Sequence, residues 1–235
     1  MNRRHSLGQH FLISESIAKS IVDCANITKK DTVLEIGTGK GILLPFLCKS
    51  ANKVLSIETD RHLYLEASKK FANLVNLELI NSDGFTQDQK FSILVSNLPY
   101  SESRRAIEWL IQQKYSHAVI MVQKEFAEKL AAVDGKSRKA ITILANYGAK
   151  IEPLLEVKKS HFSPQPKVDS TVLRLTKTHL IPKSLITIVN RLFSYRRKTI
   201  HNVGKEFGIS IDSNKRLEDL TNDEIIKLAK QIDKN

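Results

Sequence analysis

The chain has 235 residues, 41% of them apolar and 26% charged, which is enough to bury a sizeable core and too apolar for wholesale disorder. Lys and Arg number 37 against 25 Asp and Glu, a formal charge of +12, so a polyanionic partner such as nucleic acid or an anionic membrane is suggested. Cys24 and Cys48 stand far apart with no Cys-x-x-Cys or His-rich neighbour, which argues against a disulfide framework or a structural zinc site and for two buried free thiols.

The opening segment MNRRHSLGQHFL lacks the apolar core of a secretory signal, and no apolar stretch approaches the roughly 18 residues that span a bilayer, so a cytoplasmic location is expected. The first clear strand is Thr32–Ile36, a β-branched apolar run that enters three glycines and resumes with helical spacing over 42–47. Further strands are predicted at 53–58, 76–83, 91–97 and 117–123. Amphipathic helices over 61–72 and 104–113 separate several of them. This alternation implies a mostly parallel, Rossmann-like α/β sheet covered on both faces. A helix over 123–133, a cationic loop DGKSRK (134–139) and two late strands, 150–157 and 168–175, follow; the late strands would close the sheet as an antiparallel pair. From about residue 180 the texture turns helical, polar and basic. The expected division is therefore a main domain over 1–178 and a small helical domain over 179–235.

The loop EIGTGKG sets Gly37, Gly39 and Gly41 directly after the first strand, where missing side chains let backbone bend tightly and approach a ligand. Glu58 ends the next strand about 20 residues on, placed to accept the hydroxyl protons of a ribose. A dinucleotide fold wants a small residue three after Gly39, and that position is Ile42. The spacing G-x-G-x-G fits S-adenosylmethionine better, a ligand without a pyrophosphate to seat. Asp83 in NSDG can accept from an adenine amine at the same sheet edge. Taken singly, each feature is compatible with an ordinary turn or a solvated carboxylate; in order and at these intervals they indicate a nucleoside cofactor.

The fourth strand ends in NLPY (97–100). An exocyclic amine on a base is a poor nucleophile because its lone pair is delocalised into the ring. The Asn97 side-chain oxygen and the Leu98 carbonyl can each accept an amine proton and so reorient that lone pair, Pro99 fixes the backbone that aims the carbonyl, and Tyr100 offers a face on which a base can stack. A strand-terminating turn with a packed tyrosine is the alternative. Tyr195, Arg196, Arg197 and Lys198 form a cationic cluster beside an aromatic, suited to phosphates and an unpaired base, or else an ordinary solvated helix face.

With these motifs the chain resembles the ribosomal RNA adenine dimethyltransferases, which convert adenine to its N,N-dimethyl form using S-adenosylmethionine. The resemblance rests on SLGQHFL (6–12), VLEIGTGKG (33–41), IETD (57–60), SDGF (82–85), NLPY, QKEFAEKL (123–130), FSPQPKVDSTVLRL (162–175) and RRK (196–198). It implies that His10, Leu12, Gly37, Glu58, Asp83 and Asn97 contact the cofactor and that Phe162 lies near the target base, although Phe162 could instead anchor a proline-rich loop. It further implies two neighbouring adenines in a small-subunit hairpin loop as target, a precursor particle containing ribosomal RNA as partner, a monomer, and no membrane or metal. Rival readings are a large-subunit enzyme of the antibiotic-resistance type, a non-catalytic RNA-binding assembly or transcription factor on the same fold, and a small-molecule methyltransferase. The chain departs from the family pattern at Thr38-Gly39-Lys40-Gly41 and at Ser101-Glu102-Ser103-Arg104-Arg105, and its helical tail is short for the family.

Overall fold

A computed structural model describes residues 10–131 and 138–234; the first part of SLGQHFL and most of the DGKSRK loop lie outside them. In chain order the elements are β1 (Phe11–Leu12), α1 (Glu15–Cys24), β2 (Thr32–Ile36), α2 (Leu44–Ser50), β3 (Lys53–Glu58), α3 (Arg61–Lys70), β4 (Leu77–Asn81), β5 (Ile93–Asn97), α4 (Ser103–Leu110), β6 (His117–Gln123), α5 (Lys124–Ala131), α6 (Ala140–Gly148), β7 (Ala149–Val157), β8 (Phe162–Ser163), β9 (Ser170–Lys177), α7 (Lys183–Ser194), α8 (Ile200–Glu206) and α9 (Asn222–Asp233). Seven strands form one sheet in the order β4-β3-β2-β5-β6-β9-β7, and β1 pairs with β8 in a separate two-stranded ladder.

The five strands from β4 to β6 are parallel, β9 runs antiparallel to β6, and β7 runs antiparallel to β9. The physical reason is visible in the sequences. The runs in β2, β5 and β6 are buried almost throughout, as parallel strands covered on both faces must be. β7 carries Pro153, next to a register shift between Pro153 and Leu155; a residue that cannot donate to a ladder is tolerated at a sheet edge, and β7 is the edge. The late antiparallel pair expected from the sequence is the one found. Helix α1 begins where the Ser14 hydroxyl accepts from the Ile17 N–H (3.4 Å), and α9 where Thr221 and Glu224 cap each other reciprocally.

One apolar cluster joins Leu34, Ile57, Ile120 and Leu173 of the sheet to Ile107, Leu110 and Leu144 of α4 and α6. The same cluster takes in Leu185, Val189 and Leu192 of α7 and Ile225 and Leu228 of α9. The expected division at 178–179 falls in the connection between β9 and α7, with the apolar residues on both sides of it in one core. The opposite face of the sheet is covered by α1 and α2 through Ile21, Leu44 and Leu47. Cys48 is buried there, whereas Cys24 is only half-buried and not the fully buried thiol expected; both are free.

Beneath the glycine loop lies a polar network inside the core. Glu35 on β2 is 1% exposed; Ser56 of β3 sits between its Oε2 (2.5 Å) and the Thr38 hydroxyl (2.6 Å). Burial pushes the Glu35 carboxyl up to about 8, opposed by the Ser56 hydrogen bond and reinforced by the charge of Glu58. The group is therefore neutral near pH 7. Its folded-state value lies above the unfolded one, so its stabilising contribution is complete below about pH 4.5 and is lost as pH rises through about 8. Between about pH 6 and pH 8 the wild type should lose stability relative to Glu35→Gln, which cannot ionise, by up to about 1.4 kcal/mol per pH unit. Denaturant titrations of the two proteins at several pH values measure this; parallel stability curves would show that Glu35 is ionised in the fold.

Candidate active site

In an open α/β sheet, ligands bind outside the carboxyl ends of the strands where the strand order reverses. Here that point lies between β2 and β5. Their ladder pairs Val33 with Ile93 and Leu34 with Leu94; beyond these, the Ser96 hydroxyl donates to the Ile36 carbonyl (2.5 Å) while β5 stays paired with β6 as far as Asn97. A cavity of about 370 Å³ opens above the split, within the range of small-molecule sites. Its lining includes His10, Leu12, Gly37, Gly39, Glu58, Asp83, Asn97, Leu98 and Pro99, so residues distributed over the first hundred positions converge.

Gly37, Gly39 and Gly41 all have positive φ, at 85°, 56° and 72°, a region that favours glycine. A Cβ on Gly41 would lie 2.2 Å from the Phe71 ring, and one on Gly37 would point toward Pro99 at 4.0 Å, into the space between the glycine loop and NLPY. Glu58, 5% exposed, is held in place by two backbone donors: Gly39 N–H to Oε2 (2.8 Å) and Asp60 N–H to Oε1 (2.9 Å). One lone pair on each oxygen remains for a diol. Asp83 lies in the turn after β4, where its Oδ1 accepts from the Phe85 N–H (3.0 Å) and its Oδ2 from Arg105 Nη2 (2.6 Å). Burial alone would raise the Asp83 pKa; the Arg105 hydrogen bond, the Phe85 N–H and the guanidinium charge outweigh it and hold the carboxyl below its ordinary value. A concave backbone cradle flanked by two fixed carboxylates suits the nucleoside part of S-adenosylmethionine. Lys40, an exposed residue at the rim of the cavity, lays its ammonium 5.1 Å from the centre of the Phe11 ring.

Among the described residues, no hydrogen bond engages the Asn97 carboxamide or the Leu98 carbonyl. Both residues line the cavity, and an amide oxygen and a carbonyl oxygen are each able to accept from a ligand amine. Pro99, at φ −54° and ψ 137°, leads into a short turn over Tyr100–Glu102. Tyr100 is half-buried, its hydroxyl paired with that of Ser170 (2.7 Å) and its ring 5.6 Å from the ring of His10. Burial raises the Tyr100 pKa, with the Ser170 hydrogen bond opposing and the charge of Asp169 adding to it. Tyr100 thus has a fixed ring and a committed hydroxyl. It does not line the cavity itself.

His10 Nδ1 pairs with the Pro164 carbonyl (2.8 Å), and Leu12 is the register partner of Phe162. Both Leu12 and Phe162 are buried, at 2% and 3% exposure. Phe162 thus packs the start of the FSPQP loop against β1. Arg196, Arg197 and Lys198 follow α7 and do not reach the cavity. Lys198 is occupied by Glu206 (2.8 Å) and lies over the Tyr195 ring, whereas Arg197 is exposed with no partner among the described residues. Arg105 and Glu35 are cavity residues that sequence reasoning missed. Arg105 stands in a segment marked only as a departure, and Glu35 in a strand read only for its apolar run.

A model of the family described as ribosomal RNA adenine dimethylase matches residues 1–234. The ribosomal RNA small subunit methyltransferase A of Alkaliphilus metalliredigens is 35% identical, with 97% of this chain and 91% of that protein covered. Its namesake from Thermotoga maritima is 34% identical, with 94% and 82% covered. Among solved structures, a dimethyladenosine transferase from Plasmodium falciparum aligns with a TM-score of 0.81 at 27% identity, over 96% of this chain and 98% of that one. The 23S rRNA methyltransferase ErmE aligns at 0.69 and 22% identity, over 95% and 99%, a likeness of fold. A glycine cradle, paired carboxylates and a free Asn97 at the split between β2 and β5 thus occur in a chain whose relatives match it nearly end to end, and the chain belongs to the ribosomal RNA adenine dimethylase family.

Proposed function

We propose that this chain dimethylates the exocyclic amines of two neighbouring adenines in a hairpin loop of small-subunit ribosomal RNA, acting as a cytoplasmic monomer on a precursor particle. The observation that carries the reading is the unpartnered Asn97 carboxamide facing a cavity lined by Gly37, Glu58 and Asp83. Two relatives at 34–35% identity are named for the small subunit, whereas the large-subunit enzyme ErmE shares 22%. No helix among the described residues is long and apolar enough to cross a membrane.

The bound cofactor supplies a methyl group activated by a sulfonium. The protein supplies geometry. Glu58 holds the ribose, Asp83 the adenine, and His10 and Leu12 close the β1 side of the cavity. Asn97 Oδ1 and the Leu98 carbonyl each accept one proton of the target amine, which turns its lone pair out of the ring and toward the incoming carbon. Neither is a strong base, so the proton released after transfer passes to water. Tyr100, oriented by Ser170 and His10, stacks against the extruded base, and Pro99 sets the angle between ring and carbonyl. Arg196, Arg197 and Lys198 bind phosphates of the surrounding RNA. The paired state of Lys198 leaves most of that work to the two arginines.

Three measurements test this reading. Labelled methyl transfer should modify an unmethylated small-subunit particle and leave a large-subunit particle unlabelled, with mapping of the product showing N,N-dimethyladenine; labelling of the large subunit alone would establish the rival enzyme. Asn97→Ala should lower kcat by on the order of a hundredfold while cofactor and RNA affinities change little, because its acceptor works mainly as the methyl transfers. Weaker RNA binding at unchanged turnover would remove Asn97 from the chemistry. Replacing Arg196 and Arg197 with Ala should reduce the slope of log affinity against log salt by about 0.7–0.9 per lost phosphate contact. Lys198→Ala should change it less, and equal effects would mean that Glu206 releases Lys198 on binding.

A further inference from the structure

Arg104 and Arg105 start the same helix and point in different directions. Arg104 turns to the solvent side, its Nε on Glu108 (3.0 Å) and its Nη2 on Asn190 of α7 (3.2 Å). Arg105 turns into the cavity wall, its Nη2 on Asp83 Oδ2 (2.6 Å) and its Nη1 on Glu102 (3.4 Å), and its guanidinium lies 4.7 Å from the centre of the Phe85 ring. It therefore bridges two loops that β4 and β5 deliver separately. The helix that carries it is fixed by an aromatic row: Trp109, one turn further on, meets Phe85 edge-on at 5.8 Å and stacks on Phe91 at 5.9 Å.

The side chains of Arg105 and Asp83 are 50% and 36% exposed, so the pair adds little to stability. Its effect is geometric. Asp83 is fixed from two directions, by the Phe85 N–H on one oxygen and a planar guanidinium on the other, and one lone pair on each oxygen stays free. An acceptor held in this way favours a ligand that donates and rejects one that presents a carbonyl at the same place, since two acceptors would face each other. We propose that Arg105 is a positioning residue for the cofactor: by bracing Asp83 and the Phe85 ring across the cavity, it sets the carboxylate that distinguishes the amine of an adenosyl group from the carbonyl of an inosyl group. This rests on the assignment of Asp83 to the adenine.

The experiment is calorimetric binding of S-adenosylhomocysteine and its deaminated analogue, S-inosylhomocysteine, to the wild type, Arg105→Ala, Arg105→Lys and Asp83→Asn. The wild type should prefer the adenosyl compound. Arg105→Ala should lose about tenfold of that preference, the size of one charge-assisted hydrogen bond, chiefly through weaker adenosyl binding, with an unchanged melting temperature. Arg105→Lys should recover only part, because a point charge does not reproduce the planar fork. If Arg105→Ala binds the adenosyl compound as well as the wild type or more tightly, the arginine competes with the ligand and the proposal is overturned. Preference abolished by Asp83→Asn yet intact in Arg105→Ala would also overturn it while leaving the adenine assignment standing. Preference intact in Asp83→Asn would overturn both.

Discussion

Beyond Leu34 and Leu94 the strands β2 and β5 no longer share a ladder, and nearly every functional feature of the molecule depends on that separation. One chain leaves the sheet through three left-handed glycines; its neighbour continues to Asn97, still paired with β6. The gap is stabilised locally, by the Ser96 hydroxyl on the Ile36 carbonyl and by the Glu58 carboxylate on the Gly39 N–H. It is also narrow in what it tolerates. A side chain at Gly41 would enter the Phe71 ring, and one at Gly84 would come within 2.7 Å of Ile36. The glycine cradle and the Asn97-Leu98 pair come from adjacent strands and line one cavity, so no long-range motion is needed to bring them together.

Such a site imposes costs that the rest of the fold absorbs. Glu35 is a carboxyl inside the core, and burying it charged would be prohibitive; burial keeps it neutral, and it accepts from the Ser56 hydroxyl, which in turn pairs with that of Thr38. The result is a polar link from β2 through β3 to the glycine loop. An apolar residue there would pack as well but would leave the Ser56 hydroxyl without its acceptor. Local exceptions of this kind collect at functional sites because the loop must be both unusual in conformation and fixed in place.

The parallel strands were legible because burial on both faces demands apolar β-branched runs, and β2, β5 and β6 are such runs. The antiparallel pair of β7 and β9 followed from the late strand signals, of which the second alternates cleanly, whereas the pairing of β9 with β6 did not. Helix α6 was not legible: seven of its nine residues are buried, so the largely apolar ITILANYG shows no clear amphipathic period and its β-branched residues favour a strand. Helix α1 carried a signal that was passed over, the Ser14 cap followed by Ala18, Ile21 and Val22 on one side. The β1–β8 ladder, two residues long on each strand, lies below what periodicity can register. At the site, the motif residues Gly37, Glu58, Asp83 and Asn97 were readable from their places at strand ends. Arg105 was not, because its place at the cavity depends on which way one helical side chain turns, and that is set by Asp83 and Phe85, about twenty residues away in sequence.

The small basic tail is tied to the catalytic sheet by packing rather than by charge. Residues of α7 and α9 lie against α6, α6 lies against α4, and α4 carries both Arg105 at the cavity and Arg104, which reaches Asn190 on α7. Lys230 of α9 adds a polar clasp, with its ammonium over the Tyr147 ring and on its hydroxyl (2.5 Å), while that ring stacks on His179. A tail joined through a continuous apolar core cannot loosen without exposing residues that also support the cavity wall. The cations after α7 and the Asp83 carboxylate at the cavity are thus carried by elements of one continuous core. In this chain, the cavity wall and the tail that follows α7 both rest on the packing of α4 and α6.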